Sequence, residues 1–270
     1  MPIDKLTSYP SYDEFILGWY ADAYDLAYIA LHPFVRIPGL DPALCNPWTT
    51  HINRSDLPAD LDLLDIIKSR ENTEELNLSP HVVDELTLQR GVALSWNEVG
   101  KAVGFTNFAD LNRALLTSIG ALKTEYQDQT GAELLSRYCS SERIFPPSEG
   151  NFQASMQQNL SRVFRDSGVD RVEVAGEFDE EASPLKIDLL HSRQPWCSID
   201  RIPHRAGRIF AADRSLLIVV DWDSFFTLIC GKAERLQSIP VAELFEGFWC
   251  SPDTRHSWWL QPTDVQHFRH

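Results

Sequence analysis

The sequence predicts an α+β protein, with a helical N-terminal half that contains a helix–turn–helix-like unit and a C-terminal half with a small sheet and flanking helices. Helix-capping and helix-stop signals recur through the first 140 residues, whereas strand-like alternation appears only after residue 170. A stretch containing Pro146 and Pro147 lies between the two patterns. We therefore expect a helical region over 1–140 and an α+β region over 151–270, as two units or as one continuous domain.

The composition limits the classes of function. A net charge of −15 and a pI near 4.9 disfavour broad electrostatic binding to nucleic acid or to an anionic membrane, which needs a concentrated positive field. The five cysteines are dispersed without CxxC spacing, a pattern typical of reduced thiols. No signal peptide and no apolar run long enough to span a bilayer is visible. These features predict a cytoplasmic protein without a membrane partner.

Several elements follow from local patterns. Apolar residues at helical spacing predict a long buried helix over 15–31 and another over 61–67, and the pair Ser79-Pro80 predicts the start of a third. In the C-terminal half, we expect the following elements: helices over 152–165, 225–239 and 240–247, a strand over 171–175, and a hairpin of 208–212 with 216–221.

The unit over 95–127 has the clearest signals. Ser95 and Glu98 form a capping box that predicts a helix beginning at Trp96, and Gly104 suits the left-handed conformation that ends it. Thr106 is positioned to cap a second helix, which Gly120 ends. Two short helices joined by a glycine turn are the physical content of a helix–turn–helix.

This unit resembles the second helix–turn–helix of AraC-type transcription regulators. The resemblance rests on Ala102-Val-Gly-Phe105, Leu111-Asn-Arg113, Leu115, Gly120 and Tyr126. It implies DNA binding by the second helix, through Asn107, Asn112 and Arg113. The chain departs from the family pattern at three positions, Leu111, Lys123 and Gln127, and no first copy of the unit is found upstream.

Charge favours a structural role for the unit over DNA binding. The unit has no net charge, because it contains three positive residues and three carboxylates. The positive residues are Lys101, Arg113 and Lys123, and the carboxylates are Glu98, Asp110 and Glu125. A recognition helix usually presents several hydrogen-bond donors to bases and phosphates. We therefore interpret 95–127 first as a structural helix pair, with DNA binding as the alternative.

A second resemblance covers more of the chain. Segments 115–126, 144–152, 219–226 and 245–250 look like those of an uncharacterised family of bacterial proteins of unknown function. This resemblance implies a bacterial protein and carries no activity.

Chemical sites are sparse in the sequence. Asp221-Trp-Asp223 follows an apolar strand and resembles the first motif of haloacid-dehalogenase-type phosphatases, where paired aspartates hold Mg²⁺ and supply a nucleophile. The favoured interpretation is that Asp223 caps a following helix. Neither Cys45 nor Cys197 has a nearby histidine pattern that would mark a nucleophile, and no cofactor motif is present.

Three functions remain open after these observations. The preferred one is a non-catalytic binding or regulatory protein with a degenerate helix–turn–helix. The first alternative is an acidic, immunity-like module that binds a basic protein partner, because opposite charge speeds encounter. The second is a metal-dependent phosphatase or hydrolase that uses Asp221 and Asp223.

Overall fold

The computed structural model describes residues 7–45, 80–176, 181–203, 206–260 and 267–268. The predicted helix over 61–67 and the predicted cap Ser79 lie outside these residues. The described helices are α1 (Ile16–Trp19), α2 (Pro80–Arg90), α3 (Trp96–Val103), α4 (Phe108–Ser118), α5 (Gln129–Glu142), α6 (Gln157–Asp166), α7 (Ile187–Leu190), α8 (Ala233–Leu236) and α9 (Val241–Leu244). The described strands are β1 (Leu26–Leu31), β2 (Phe34–Arg36), β3 (Val92–Leu94), β4 (Ile144–Phe145), β5 (Arg171–Gly176), β6 (Ser183–Lys186), β7 (Ala206–Ala211), β8 (Leu216–Val220), β9 (Phe226–Gly231) and β10 (Gly247–Trp249).

A seven-stranded antiparallel sheet is the centre of the molecule. Its strand order is β10-β1-β9-β8-β7-β5-β6. Strands β7, β8 and β9 follow one another as a meander, whereas β1 comes from the N-terminal region and lies between β9 and β10. A smaller sheet, in the order β3-β2-β4, lies beside it. The sheet therefore combines strands from both of the predicted regions.

Both faces of the large sheet are buried. Alternate residues of the central strands enter two hydrophobic clusters: Ile29 and Leu217, for example, belong to one, and Ala30 and Ile218 to the other. The first cluster includes side chains of α3 and α4, and the second includes side chains of α6 and α7. The helix–turn–helix-like unit is thus part of the layer that covers one face of the sheet.

Two predicted helices are wrong for the same physical reason. Residues 15–31 form the short α1 followed by β1, and residues 225–239 form β9 followed by the short α8. Strands β1 and β9 are apolar on both faces because both faces are buried, so they lack the alternation that distinguishes a strand from a buried helix. The expectation of a small sheet is also wrong, and a fully helical N-terminal half is not confirmed.

Predictions made from alternation and from capping are closer to the structure. The strand predicted over 171–175 is β5, and the predicted hairpin is formed by β7 and β8. The predicted helix over 152–165 is confirmed only from the 3-10 turn Ala154–Met156 onward, where it continues as α6. The short final helix is confirmed as α9.

The local signals of the 95–127 unit also hold. Ser95 and Glu98 form the reciprocal capping box of α3, and Gly104 ends that helix with a φ of 101°. The cap of α4 is Asn107 and not Thr106, because the Asn107 side chain accepts the backbone N–H of Asp110 at 2.8 Å. These contacts fix the two helices and the turn between them without assigning them a ligand.

Buried polar contacts tie the N-terminus of α3 to distant parts of the chain. The backbone N–H groups of Trp96 and Asn97 donate to the Glu246 carboxylate at 2.5 and 3.0 Å. The indole Nε1 of Trp96 donates to the carbonyl oxygen of His32 at 2.6 Å. Since these bonds join residues that fall in both predicted regions, we propose one continuous domain.

Strand β10 depends on a glycine at its first position. Gly247 has a φ of 153°, and a Cβ at this position would lie 1.8 Å from the carbonyl oxygen of Ile29 in β1. We expect Gly247→Ala to lower the free energy of unfolding by at least about 2 kcal/mol, because backbone atoms cannot yield as a side chain does. Urea unfolding would measure the change.

Gly39→Ala is the matched control for this substitution. Gly39 also has a positive φ, of 79°, but a Cβ added to it would have no atom within 4 Å. Its substitution should cost only the backbone strain, about 1–2 kcal/mol. Equal losses in the two variants would contradict a steric role for Gly247.

Candidate functional site: the Cys197 pocket

A pocket of about 240 Å³ opens beside the second hydrophobic cluster, and we call it the Cys197 pocket. Helix α2, the loop before α6 and the segment before β7 surround it. Its polar wall contains His81, Asp84, Ser148, Asn151, Gln157 and Cys197. Its apolar wall contains Phe152, Trp196, Ile202, Pro203 and Ala206. The pocket is smaller than the roughly 300–1,000 Å³ of sites for drug-sized ligands, so it suits a small molecule.

The wall of the pocket around Trp196 is held rigidly. The backbone N–H of Trp196 donates to Oε1 of Gln157 at 3.0 Å, and its indole Nε1 donates to the carbonyl oxygen of Leu190 at 2.8 Å. The Trp196 ring meets Phe152 edge-on, with 5.6 Å between the ring centroids. These contacts leave little freedom to the 3-10 turn Trp196–Ser198, which carries Cys197.

Two polar side chains of α2 meet the thiol of Cys197. His81 and Asp84 are three residues apart and therefore share a face of the helix. Nδ1 of His81 lies 3.1 Å from Sγ of Cys197, and Sγ donates to Oδ2 of Asp84 at 3.6 Å. A thiol, an imidazole and a carboxylate thus converge at one point of the pocket wall.

The surroundings keep this thiol protonated at rest. Burial raises the pKa of Cys197 above its ordinary value, and the negative charge of Asp84 raises it further. The hydroxyl of Ser198 opposes both effects by stabilising the thiolate. A resting thiol beside a base can still react when its proton is removed during the attack.

The pocket offers few donors to a developing oxyanion. Both ends of the Gln157 amide are engaged, because Oε1 accepts from Trp196 and Nε2 donates to the carbonyl oxygen of Phe152 at 3.3 Å. Nδ2 of Asn151 donates to the carbonyl oxygen of Glu149 at 2.9 Å. Among the described lining residues, these two amides are thus already engaged within the protein, whereas acyl transfer needs preorganised donors at the reacting carbonyl.

Cys197 has no nearby histidine pattern in the sequence, but the structure places the imidazole of His81 beside its thiol. His81 and Cys197 are 116 positions apart, and no local motif connects them. They meet because α2 packs against the 3-10 turn Ala154–Met156, and the Trp196–Ser198 turn is hydrogen-bonded to Gln157 at the start of α6. No signal in a single sequence marks such a pair.

The residues that the AraC-type resemblance implies for DNA binding lie in a different place. Asn107 is buried and caps α4, and Asn112 is fully buried. In the described part of the chain, neither amide atom of Asn112 has a hydrogen-bond partner. Arg113 is half-buried and donates to the carbonyl oxygen of Trp259 at 3.2 Å. Asn112 is therefore a core side chain that does not reach a ligand outside the protein in this conformation.

Helix α4 as a whole is enclosed. It packs against α5 on one side and against the 3-10 turn Trp258–Leu260 on another, and Phe268 stacks edge-on against its first residue, Phe108. Eight of its residues are buried. Asp110, Arg113 and Ser118 are the residues of α4 that are not buried, whereas a recognition helix presents a free face to the major groove of DNA.

The two aspartates of the phosphatase-like motif lie in the turn between β8 and β9. Oδ2 of Asp221 is 3.2 Å from Nε2 of the buried His256. Burial raises the pKa of the Asp223 carboxyl, while its neighbour Trp222 is exposed. The interpretation of Asp223 as a helix cap is wrong, because β9 follows the turn and no helix begins there.

No metal site is found in the described residues. No group of three or more histidine, cysteine, aspartate or glutamate side chains among them is arranged to hold a metal ion, and this includes the trio around Cys197. Within the same residues, no helix combines the length and the apolar character that crossing a bilayer requires.

Comparison with known proteins places the chain in a family. The family model described as "Protein of unknown function (DUF2711)" matches residues 12–260. The chain belongs to this family. It is also 25% identical over 193 residues to the uncharacterized protein YwbB of Bacillus subtilis (strain 168), a match that covers 70% of this chain and 83% of that protein. No solved structure matches the chain.

The family agrees with the resemblance to a bacterial family of unknown function. The matched residues include every strand of the large sheet and the Cys197 pocket. The pocket therefore belongs to the part of the chain that defines membership of the family.

Proposed function

We propose that the protein is a non-catalytic binding protein that takes a small organic ligand into the Cys197 pocket. The main support for this proposal is a pocket of about 240 Å³, one wall of which is anchored by hydrogen bonds and a ring contact. Binding sites are usually concave, largely preformed and mostly apolar, with a few polar groups that fix orientation. The Cys197 pocket is concave with an anchored wall, and it is more polar than such sites usually are, because polar and apolar residues line it in nearly equal number.

The walls favour a particular kind of ligand. Phe152 and Trp196 offer apolar surface for a planar or aliphatic body, and Asp84 contributes a carboxylate to the polar lining beside Cys197. The net charge of −15 adds to the attraction of a cation and opposes an anion. We therefore expect a small cationic or neutral molecule with an apolar part.

The helix–turn–helix-like unit serves this protein as a scaffold in the same proposal. Its second helix is enclosed by α5 and by Trp258–Leu260, and it covers one face of the sheet. Asn107, Asn112 and Arg113 make contacts within the protein. These observations support a structural role for Asn107, Asn112 and Arg113 over DNA binding.

Three probes of similar size test the proposed ligand class. Benzylamine is a cation at neutral pH, benzyl alcohol is neutral and benzoate is an anion. In saturation-transfer NMR titrations of the full chain, benzylamine should bind most tightly and benzoate least tightly. An Asp84→Asn variant should lose about ten-fold in benzylamine affinity, because it removes the charge that faces the ligand.

Glu85→Gln provides the control for this titration. Glu85 directly follows Asp84 in α2, but it is exposed and accepts a hydrogen bond from Gln89 instead of lining the pocket. Its variant should bind benzylamine as the wild type does. If none of the probes binds at millimolar concentration, or if benzoate binds as tightly as benzylamine, the proposal fails.

A further inference from the structure

Cys197 differs from the other four cysteines in its surroundings. The five cysteines are free thiols. Burial raises the pKa of Cys139 to about 12 and raises the pKa values of Cys230 and Cys250 as well. Cys45 lies beside Asp41, whose carbonyl oxygen accepts its thiol at 3.4 Å. Among the described residues, Cys197 is the cysteine that lines the pocket and has an imidazole nitrogen 3.1 Å from its sulfur.

We propose that Cys197 is a nucleophilic thiol that forms a mixed disulfide with a small disulfide carrying a cationic group, with His81 as the proton acceptor. This inference rests on the proposed function, because the pocket must admit the ligand. It adds a covalent step at a residue to which the binding proposal gives no chemical role.

The step balances without any further reactant. The S–H bond of Cys197 turns from Oδ2 of Asp84 to Nδ1 of His81, Nδ1 takes the proton, and Sγ attacks one sulfur of the ligand disulfide. The new bond joins Cys197 to that sulfur, the old sulfur–sulfur bond breaks, and the other half leaves as a thiolate that takes the proton back from His81. One disulfide is consumed and one is formed, with release of one free thiol.

The scarcity of oxyanion donors does not hinder this chemistry. In thiol–disulfide exchange the negative charge is spread over sulfur atoms, and no carbonyl oxygen has to be stabilised. The pocket therefore fits disulfide exchange better than acyl transfer, although both start from a thiol beside a base.

Asp84 gives the reaction its preference for a cation. Its carboxylate is 3.6 Å from the thiol and disfavours the thiolate. An ammonium group two carbons from the attacked sulfur would lie against Asp84 and offset this negative charge. A cationic disulfide thus removes the obstacle to its own reaction, whereas an anionic one adds a second negative charge.

Two disulfides of similar length and opposite charge provide the test. Cystamine carries two ammonium groups and dithiodiglycolate carries two carboxylates. Mass spectrometry of the intact full chain would give the rate of adduct formation with each, and peptide mapping would give its position. We expect the adduct on Cys197 and a rate with cystamine at least about ten-fold higher than with dithiodiglycolate.

Three variants separate the effect of the Asp84 charge from the role of His81 as proton acceptor, with Glu85 as the control. Asp84→Asn should bring the two rates close together, mainly by speeding the reaction with dithiodiglycolate, whereas Glu85→Gln should keep the wild-type preference. His81→Gln should slow both reactions about a hundred-fold at pH 7, because the proton acceptor is lost. Raising the pH should recover much of this loss in His81→Gln, a response that a purely structural defect would not give.

The possible outcomes separate this inference from the binding proposal. An adduct on another cysteine, or equal charge preference in the wild type and in Asp84→Asn, would overturn the inference. Benzylamine binding to a Cys197→Ser variant, together with an inert wild-type thiol, would overturn the covalent step and leave the binding proposal intact. Adduct formation on Cys197 without binding of any benzyl probe would support the covalent step and contradict the binding proposal.

Discussion

Lowering the pH from 7 to 5 is expected to reduce the free energy of unfolding by about 2 kcal/mol through His32 alone. His32 is fully buried, and burial lowers its pKa from 6.5 to about 4. Nδ1 donates to the carbonyl oxygen of Ser148 at 2.8 Å, and Nε2 accepts the hydroxyl of Thr227 at the same distance. The neutral ring is therefore fully hydrogen-bonded, and protonation would break the bond from Thr227.

The direction of this effect follows from proton binding. Between pH 6.5 and about 4 the unfolded chain binds a proton at His32 that the folded protein does not bind. Stability from this group is thus fully present above pH 6.5 and is lost progressively as the pH falls toward 4. Urea unfolding at several pH values would give the slope directly.

A His32→Gln variant isolates the contribution of this histidine. The glutamine amide can donate to Ser148 and accept from Thr227, but it does not titrate. Glu246 contributes a slope of the opposite sign, because burial raises its pKa, and this contribution is common to both proteins. His32→Gln should therefore be less steeply destabilised by acid, and an unchanged slope would rule out His32 as the group responsible.

Truncation of Trp96 is the second change with a large expected effect. Trp96→Ala should lower the free energy of unfolding by about 3–5 kcal/mol. The Trp96 side chain is fully buried, and its ring is 6.3 Å from the rings of both Phe34 and Phe108. Its loss would leave a cavity between the small sheet and α4 and would leave the His32 carbonyl oxygen without the indole N–H.

Trp222→Ala is the comparison for this truncation. Trp222 is 56% exposed on the turn between β8 and β9, so its removal should change stability by less than about 1 kcal/mol. Denaturant unfolding of both variants would measure the difference. Similar losses in the two variants would contradict a central structural role for Trp96.

Local signals in the sequence predicted local structure well. The capping box of Ser95 and Glu98 and the left-handed Gly104 are decided by a few adjacent residues, so the limits of α3 could be read without knowing the fold. The alternation in β5 also survives, because this strand has residues that are partly exposed. Such features depend on interactions within one turn or one strand.

Long-range packing decided the elements that were predicted wrongly. All residues of β9 are buried, and β1 is nearly as enclosed, so their sequences contain no polar alternation. Whether such a run becomes a helix or a strand depends on its neighbours in the sheet, which a local window does not contain. The large sheet therefore could not be predicted from the periodicity of its central strands.

The candidate site was beyond sequence-based prediction for a related reason. The residues that the sequence marked, Asn107, Asn112 and Arg113, were identified by their spacing in a helix, and that helix proved to be a buried layer. The residues that meet in the pocket, His81 and Cys197, carry no spacing signal at all. A resemblance confined to about thirty residues describes the local arrangement of two helices. Which faces of those helices are exposed depends on how the rest of the chain packs against them.

The position of β1 in the sheet also affects the folding of the chain during its synthesis. Leu26 pairs with Gly231, so on a translating ribosome this strand emerges roughly 200 residues before its partner. At synthesis rates of about 5–20 residues per second the wait is on the order of 10–40 s, during which this apolar strand has no sheet to join. Correct pairing of β1 therefore has to follow the synthesis of most of the chain.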